Sequence, residues 1–355
     1  MPHDFRIEGY APRHSGQARA LLATTRRRRL ADCPLLPPET AEDRELLGAE
    51  AGGAVALDAE GRLLGFLFAK REDDPVWGSS LRADVDRWAV GEGADRRILG
   101  GLYGAAFGRA TGPVEGRATG PGLEAPPNSG PRPATHKIYC PSYDDLSLRA
   151  WFALGFGLEQ AYAWARLADM EGDFPPPDGV IIRRAGPGDG EILAGLSPLI
   201  ALAQAEAPTW AGAPEAYLAD LREGFASLAT DKEAMVLLAL RGGVALGYQA
   251  WFPMKAATAG EPAGEGPAEG DRGGAVALSV ELSVGATLPG ERGRGLGRAL
   301  TARGVAEALK SGYTACFTDW RTANPHSSSF WPARGFRPQL YRLTRRLDPL
   351  ALAAR

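Results

Sequence analysis

The chain has 355 residues, 45% of them hydrophobic and 23% charged, with a formal net charge of −3. That length predicts two domains, each able to bury its own core, and the charge gives no reason to expect nucleic acid as a partner. Cys33, Cys140 and Cys316 are too widely spaced for a disulfide framework or a zinc site, and no apolar run is long enough for a membrane span, so the expectation is a cytoplasmic protein without a metal.

Taken in order, Phe5–Tyr10 alternates as a strand, and Pro12 and a helix over Gln17–Thr25 follow. The run Arg26–Arg29 reads as a solvated helix end or an anion contact. Ala54–Leu57 and Leu63–Ala69 form a hairpin through Asp-Ala-Glu-Gly. Trp88–Val90 reads as a strand and Ile98–Arg109 as a helix. Thr111–Thr135 is dense in Gly and Pro and reads as an exposed or disordered loop. A strand at Lys137–Cys140, a helix at Leu146–Leu154 and a strand at Tyr162–Leu167 close this half.

Pro175-Pro176-Pro177 marks a stiff linker, and the pattern then restarts. Val180–Arg184 is a strand, Glu191–Glu206 a helix, and Pro214–Leu228 a helix with Pro at its start. Met235–Leu240 and Val244–Phe252 form a hairpin around Arg241-Gly242-Gly243. Ala257–Gly274 is a second Gly/Pro-rich insertion. Strands at Thr314–Asp319 and Arg337–Leu347 flank a short helix near Ser327–Arg334. Gly65 and Gly247 occupy matching places in the two hairpins, and Trp151-x-x-x-Gly155-Phe156 matches Trp331-x-x-x-Gly335-Phe336. The halves read as repeats.

Between the second insertion and Thr314 lies the most informative stretch. Val276–Val284 is apolar and β-branched, with Glu281 its only charge. The chain breaks at Pro289–Gly290, runs through Arg292-Gly293-Arg294-Gly295-Leu296-Gly297, and enters a helix. Strand, glycine-rich turn and helix together point backbone N–H groups at a phosphate. No Lys-Ser/Thr closes the turn, and Arg298 stands where G-x-G-x-x-G needs its third glycine, which excludes both familiar phosphate loops.

Arg292-x-x-Gly295-x-Gly297 after such a strand, followed by Asn324 and Phe330-Trp331-x-x-x-Gly335-Phe336, resembles the paired signatures of the GNAT superfamily of N-acetyltransferases. The resemblance implies an α/β fold of two tandem GNAT-fold domains, each a twisted mixed β-sheet flanked by helices. Residues 1–170 are then a degenerate copy, 171–179 a Pro-rich linker, and 180–355 the acetyltransferase domain. The degenerate reading rests on Val90–Gly100, where no Arg-x-x-Gly-x-Gly exists and Glu92 and Asp95 oppose a pyrophosphate. That copy is expected to pack, shape a cleft or dimerise.

The resemblance further implies acetyl transfer from acetyl-CoA, the cosubstrate, to a small-molecule or peptide amine. Backbone N–H groups of Gly293 through Arg298, including Leu296 and Gly297, with the cations of Arg292, Arg294 and Arg298, suit the pyrophosphate. A strand-edge N–H near Thr287 or Leu288 would polarise the thioester; Pro289 has none to offer. An amine protonated at neutral pH needs a base, and Glu281, six residues before Thr287, is the candidate, with a structural or Arg-paired glutamate as the alternative. Trp331 stands where many family members have the Tyr that protonates the leaving thiolate, so His326 becomes the candidate acid, unless it is a cap or surface residue. Asn324 either bonds the cofactor or caps its helix, and Trp331 is grouped with the cofactor contacts. Cys316 reads as core. Trp210, Tyr217 and Phe225 read as core or as an acceptor-facing wall. The rival functions are a mycothiol-synthase-like aminoglycosyl acetyltransferase and a non-catalytic module that binds acyl-CoA or a metabolite.

Overall fold

A computed structural model of the protein describes residues 5–32, 35, 53–74, 76–110, 133–254 and 278–348. Cys33, the loop at 111–132, the insertion at 257–274 and the start of the strand at Val276 lie outside the described residues. The strands are β1 (Arg6–Gly9), β2 (Ala54–Leu57), β3 (Leu63–Leu67), β4 (Lys70–Asp74), β5 (Gly78–Ala83), β6 (Trp88–Val90), β7 (Thr135–Pro141), β8 (Gly157–Arg166), β9 (Val180–Arg184), β10 (Met235–Arg241), β11 (Val244–Pro253), β12 (Ser279–Thr287), β13 (Ala315–Arg321) and β14 (Arg337–Arg346). The helices are α1 (Ser15–Asp32), α2 (Ile98–Ala110), α3 (Asp145–Ala153), α4 (Gly190–Leu196), α5 (Leu199–Ala205), α6 (Glu215–Ser227), α7 (Leu296–Lys310) and α8 (Pro325–Phe330). No described helix is long and apolar enough to cross a membrane.

The chain divides into two compact units, Met1–Glu159 with Gln339–Arg355, and Gln160–Pro338. In the first, strands run in the orders β1-β2-β3-β6 and β4-β5-β7-β14. β2 is Ala-Val-Ala-Leu, buried on both faces, which is why it reads as a continuous apolar run rather than an alternation. Ala54 and Ala56 join the core built on α2, while Val55 and Leu57 join the one built on α1. In the second unit the order is β8-β13-β12-β11-β10-β9. β10 is again buried on both faces: Val236 and Leu238 meet Leu193 and Phe225 of α4 and α6, and Leu237 and Ala239 meet Leu296 and Leu300 of α7. Each such aliphatic contributes about 1.5–3 kcal/mol by leaving water.

The repeat is visible inside each unit. A Cβ on Gly65 would lie 2.9 Å from the Ala89 carbonyl oxygen, and one on Gly247 would lie 2.8 Å from that of Ala286. Only glycine lets the neighbouring strand come so close. Trp151 meets Phe156 edge-on at 5.4 Å, and Trp331 meets Phe336 edge-on at 5.6 Å.

Several elements depart from the expectations. The single helix over 191–206 is two, α4 and α5, because Pro198 lacks the N–H that would continue the ladder. The hairpin of β4 and β5 was not expected, since Lys-Arg-Glu-Asp-Asp shows no apolar alternation; it is held by Arg82, which binds Glu72 at 2.6 Å and Asp84 at 3.1 Å. α1 runs past the arginine run to Asp32, so Arg29 alone of that run stands in the last turn. Arg26 and Arg29 converge on Asp86 at 3.0 and 2.8 Å, and Arg29 is buried. The stretch 171–179 belongs to the second unit and packs on α7: Arg298 donates two hydrogen bonds of 2.6 Å to Glu171 and lies 3.9 Å over the Phe174 ring.

Candidate active site

The second unit carries the chemistry-bearing residues, and strand pairing arranges them. β12 and β13 are parallel and pair over Ser279↔Ala315, Val280↔Cys316 and Glu281↔Phe317. β12 then continues to Thr287 without β13 as its partner. The divergence coincides with a bulge: Ala250 of β11 pairs with Val284 and Trp251 with Leu282, leaving Ser283 as the extra residue. A bulge bends its strand and raises the local twist, which opens the two strands into a V.

Backbone groups inside the V follow from the antiparallel alternation. Leu288 donates its N–H to the Leu246 carbonyl at 2.8 Å. Hydrogen-bonded pairs alternate with non-bonded ones, so Thr287, opposite Gly247, turns its N–H away from β11 and into the V. Of the two donors expected here, Leu288 is therefore corrected: its N–H is engaged within the sheet. Thr287 has the geometry of a donor toward the gap.

Glu281 sits at the apex. Paired residues share a face, so Glu281, Phe317, Tyr162 and Trp164 project together, with Asp319 two residues on from Phe317. Phe317 stacks on Tyr162 at 6.3 Å and tilts against Trp164 at 5.2 Å. Burial, the negative charge of Asp319 and, in the opposite sense, a hydrogen bond from Ser283 set the Glu281 carboxyl, pushed up to about 7. Cys316, on the opposite face, is fully buried and its thiol is pushed far up, so it is inert core.

At the open end of the V lies the turn. Gly293 and Gly295 have φ of +75° and +84°, which a side chain would strain. The backbone N–H groups of Gly293, Arg294, Gly295, Leu296, Gly297 and Arg298 have no protein acceptor among the described residues. No acidic residue stands in the first turn of α7 to cap them. These are the donors and the positive helix end that an anion requires, so the residues present fit a pyrophosphate. The turn before α2 in the first unit is different. There Ala94, Ile98, Leu99 and Gly100 donate to nearby carbonyls, and the Arg97 N–H is capped by Asp95 at 2.8 Å. Those five donors are already satisfied.

The cations of the turn are not equivalent. Arg292 makes no ion pair among the described residues. Arg294 lies 3.7 Å from Glu291, which is itself held at 3.0 Å by Arg241. Arg298 is committed to Glu171 rather than standing ready for a phosphate. Asn324 caps α8, its side-chain oxygen accepting from the N–H of His326 at 3.0 Å and Ser327 at 3.3 Å. His326 is exposed on the first turn of α8. Trp331 is buried against Phe330 and Phe336, as Trp151 is in the first unit, so its ring packs the core instead of facing a ligand. Phe225 is core against Tyr248, and Trp210 is exposed between α5 and α6, so these two do not share an acceptor-facing wall. The aromatic face beside Glu281 is built instead from Tyr162, Trp164 and Phe317. Its only sequence signal is the two-residue alternation of Phe317 and Asp319.

No family model and no curated protein matches the sequence. Solved structures do. A GCN5-related N-acetyltransferase from Sphaerobacter thermophilus is 14% identical, with 97% of this chain and 96% of that chain covered and a TM-score of 0.50. A tandem GNAT protein from the clavulanic acid biosynthesis pathway is 18% identical over 98% of this chain and 99% of that one, with a TM-score of 0.46. The chain has the GNAT fold. In GNAT terms, the V between β12 and β13 is formed in the second unit, and its open end carries the acceptor-free turn.

Proposed function

We propose that the second unit is an acetyl-CoA-dependent N-acetyltransferase acting on a primary amine of a small molecule or peptide. The observation that carries this reading is one strand with Glu281 at the apex of its splay and a run of unpartnered N–H groups just past its end. Acetyl-CoA supplies the acyl group as a thioester. The N–H groups of Gly293–Arg298, with Arg292, hold the pyrophosphate, and the N–H of Thr287 polarises the carbonyl. Glu281 takes a proton from the acceptor ammonium, and the freed amine forms the N–C bond as the C–S bond breaks. A carboxyl that titrates near 7 is well matched to that task. The thiolate takes up a proton, for which His326 is our candidate donor.

Trp331 in place of the usual tyrosine favours a second reading, an acyl-CoA-binding module without turnover. The test is thiol release from acetyl-CoA with a panel of primary amines that includes an aminoglycoside and an amino sugar. Amine-dependent release supports the enzyme, and its pattern identifies the acceptor, including a mycothiol-synthase-like one. Tight CoA binding with no release from any amine refutes turnover and leaves the module.

A further inference from the structure

The side chain of Arg298, which the phosphate turn does not use as a cation, is built into a stack beside that turn. Its Nε and Nη2 donate to the two carboxylate oxygens of Glu171 at 2.6 Å each, and its guanidinium lies 3.9 Å over the Phe174 ring. The carboxylate fixes the guanidinium plane from its edge, and the ring covers one face. The side chain is still 40% exposed, which leaves the opposite face and the Nη1 edge as its open surface. Phe174 also reaches the turn itself: its ring lies 3.3 Å from where a Cβ on Gly295 would stand. The stack therefore adjoins the N–H groups that fit a pyrophosphate. Arg334 makes no comparable plane, since it lies 5.3 Å from the Phe330 ring and turns its Nε–H to the Ala333 carbonyl.

What such a stack can hold follows from its charge and its shape. The hydrogen bond from Arg298, with the charges of Arg298 and Arg334, holds the Glu171 carboxyl below its ordinary value. The Arg298–Glu171 pair is therefore ionised at neutral pH and nearly neutral as a unit, which gives a phosphate little to bind. Its flat open face remains, and a guanidinium plane stacks on nucleobases as an aromatic ring does. The acetyl-CoA reading of the second unit, on which this inference rests, supplies such a base, because the adenine of CoA is joined to the pyrophosphate through a single ribose. We propose that this adenine stacks on the open face of Arg298, with Glu171 and Phe174 as positioning residues, so that the Pro-rich stretch 171–179 selects nucleotide-bearing donors over bare phosphopantetheine.

The experiment is calorimetric titration of the full chain with CoA, dephospho-CoA and phosphopantetheine. Dephospho-CoA keeps the adenine and lacks only the ribose phosphate, while phosphopantetheine lacks the whole nucleoside. Glu171→Ala combined with Arg298→Ala removes the plane and leaves the net charge as it was. This double variant should bind CoA and dephospho-CoA about fivefold more weakly, the worth of a cation–π stack at an exposed site, and phosphopantetheine as before. Phe174→Leu keeps apolar cover over Gly295 but removes the ring, and should weaken the same two ligands in parallel. Equal weakening of phosphopantetheine overturns the proposal, because the stack would then only brace the turn. Weakening of CoA alone overturns it too, since Arg298 would then meet the ribose phosphate. Unchanged affinity for all three ligands in both variants also overturns it. If none of the three binds the wild-type chain, the acetyl-CoA reading itself is refuted, and the role of the stack with it.

Discussion

Glu281 faces Phe317 across the last rung that β12 and β13 share. One residue further on in this direction the strands have begun to part, and Ser283 is already in the bulge. The carboxyl is therefore fixed by paired backbone on one side and stands at the mouth of an opening on the other. Asp319, two residues beyond Phe317, raises its proton affinity further. A glutamate placed only to brace a sheet needs neither the opening nor the second carboxylate.

If Glu281 takes the amine's proton, Glu281→Gln lowers kcat by roughly 10²–10⁴-fold, the usual worth of a general base. The wild-type rate should rise with pH through about 7, where Glu281 ionises, and the Gln variant should lose that limb. CoA affinity should hold, because the carboxylate is remote in sequence from the turn that carries the N–H groups. Measuring kcat against pH for both proteins decides the matter: parallel profiles remove Glu281 as the base.

The same substitution has a stability signature. The folded carboxyl titrates near 7 and the ordinary value is 4.5, so between those pH values the native state holds a proton that the unfolded chain has released. Stability from this group is complete below 4.5 and is lost as pH rises through 7. Glu281→Gln lacks that loss, and should be the more stable protein at pH 8 by up to about 3 kcal/mol, with the gap closing at pH 4.5. Urea unfolding at the two pH values measures it. A difference independent of pH means that Glu281 is solvated in the fold.

The candidate site was legible where its parts are local. The turn at Arg292–Gly297 declares itself through glycines and arginines within a few residues, and the structure gives Gly293 and Gly295 the positive φ that such a turn needs. The repeat was legible because Gly65 and Gly247 cannot be replaced where they stand. What stayed hidden depends on pairing across long separations. That Phe317 shares a face with Glu281 follows from a parallel register set by the crossover through α7. That Leu288 spends its N–H on Leu246 follows from which pairs in an antiparallel ladder are bonded. Arg298 looked like a phosphate ligand because charge alone cannot foretell that Glu171 would reach it first. Arg29 looked solvated because Asp86 lies far from it in the chain.

Gly297→Ala separates the turn's ligand role from its packing role. Gly295 is unsuitable, since any side chain there meets both positive φ and Phe174 at 3.3 Å. Gly297 lies in the first turn of α7, and a Cβ would touch Phe330 at 3.4 Å, an ordinary contact. Alanine within a helix is favoured over glycine by about 0.5–1 kcal/mol, so the melting temperature should hold or rise. The added methyl group lies among the N–H donors, and CoA affinity should fall by about tenfold or more, or at least ~1.4 kcal/mol. Calorimetry with CoA on the folded variant provides the check, and an unchanged Kd would move the phosphate site elsewhere.

His136 gives the first unit a pH dependence of opposite sign to that of Glu281. Its ring is buried, and Nδ1 shares a hydrogen bond of 2.6 Å with the Tyr103 hydroxyl. Burial and then the charge of Arg345 push the imidazole down to about 4 from its ordinary 6.5. Between those values the unfolded chain binds a proton that the native state refuses, so stability is present above 6.5 and is lost as pH falls toward 4. The loss reaches up to about 3 kcal/mol. His136→Gln keeps a hydrogen-bonding group beside Tyr103 but cannot titrate, so its stability should vary less across this window, even if it is lower throughout. Trp88 and Trp151 lie in this unit's core and report its unfolding by fluorescence. Urea melts of both proteins at pH 7, 5.5 and 4.5 give the comparison. Equal pH slopes would show that His136 takes up its proton in the fold as readily as in the unfolded chain, so that its ring is not shielded from water.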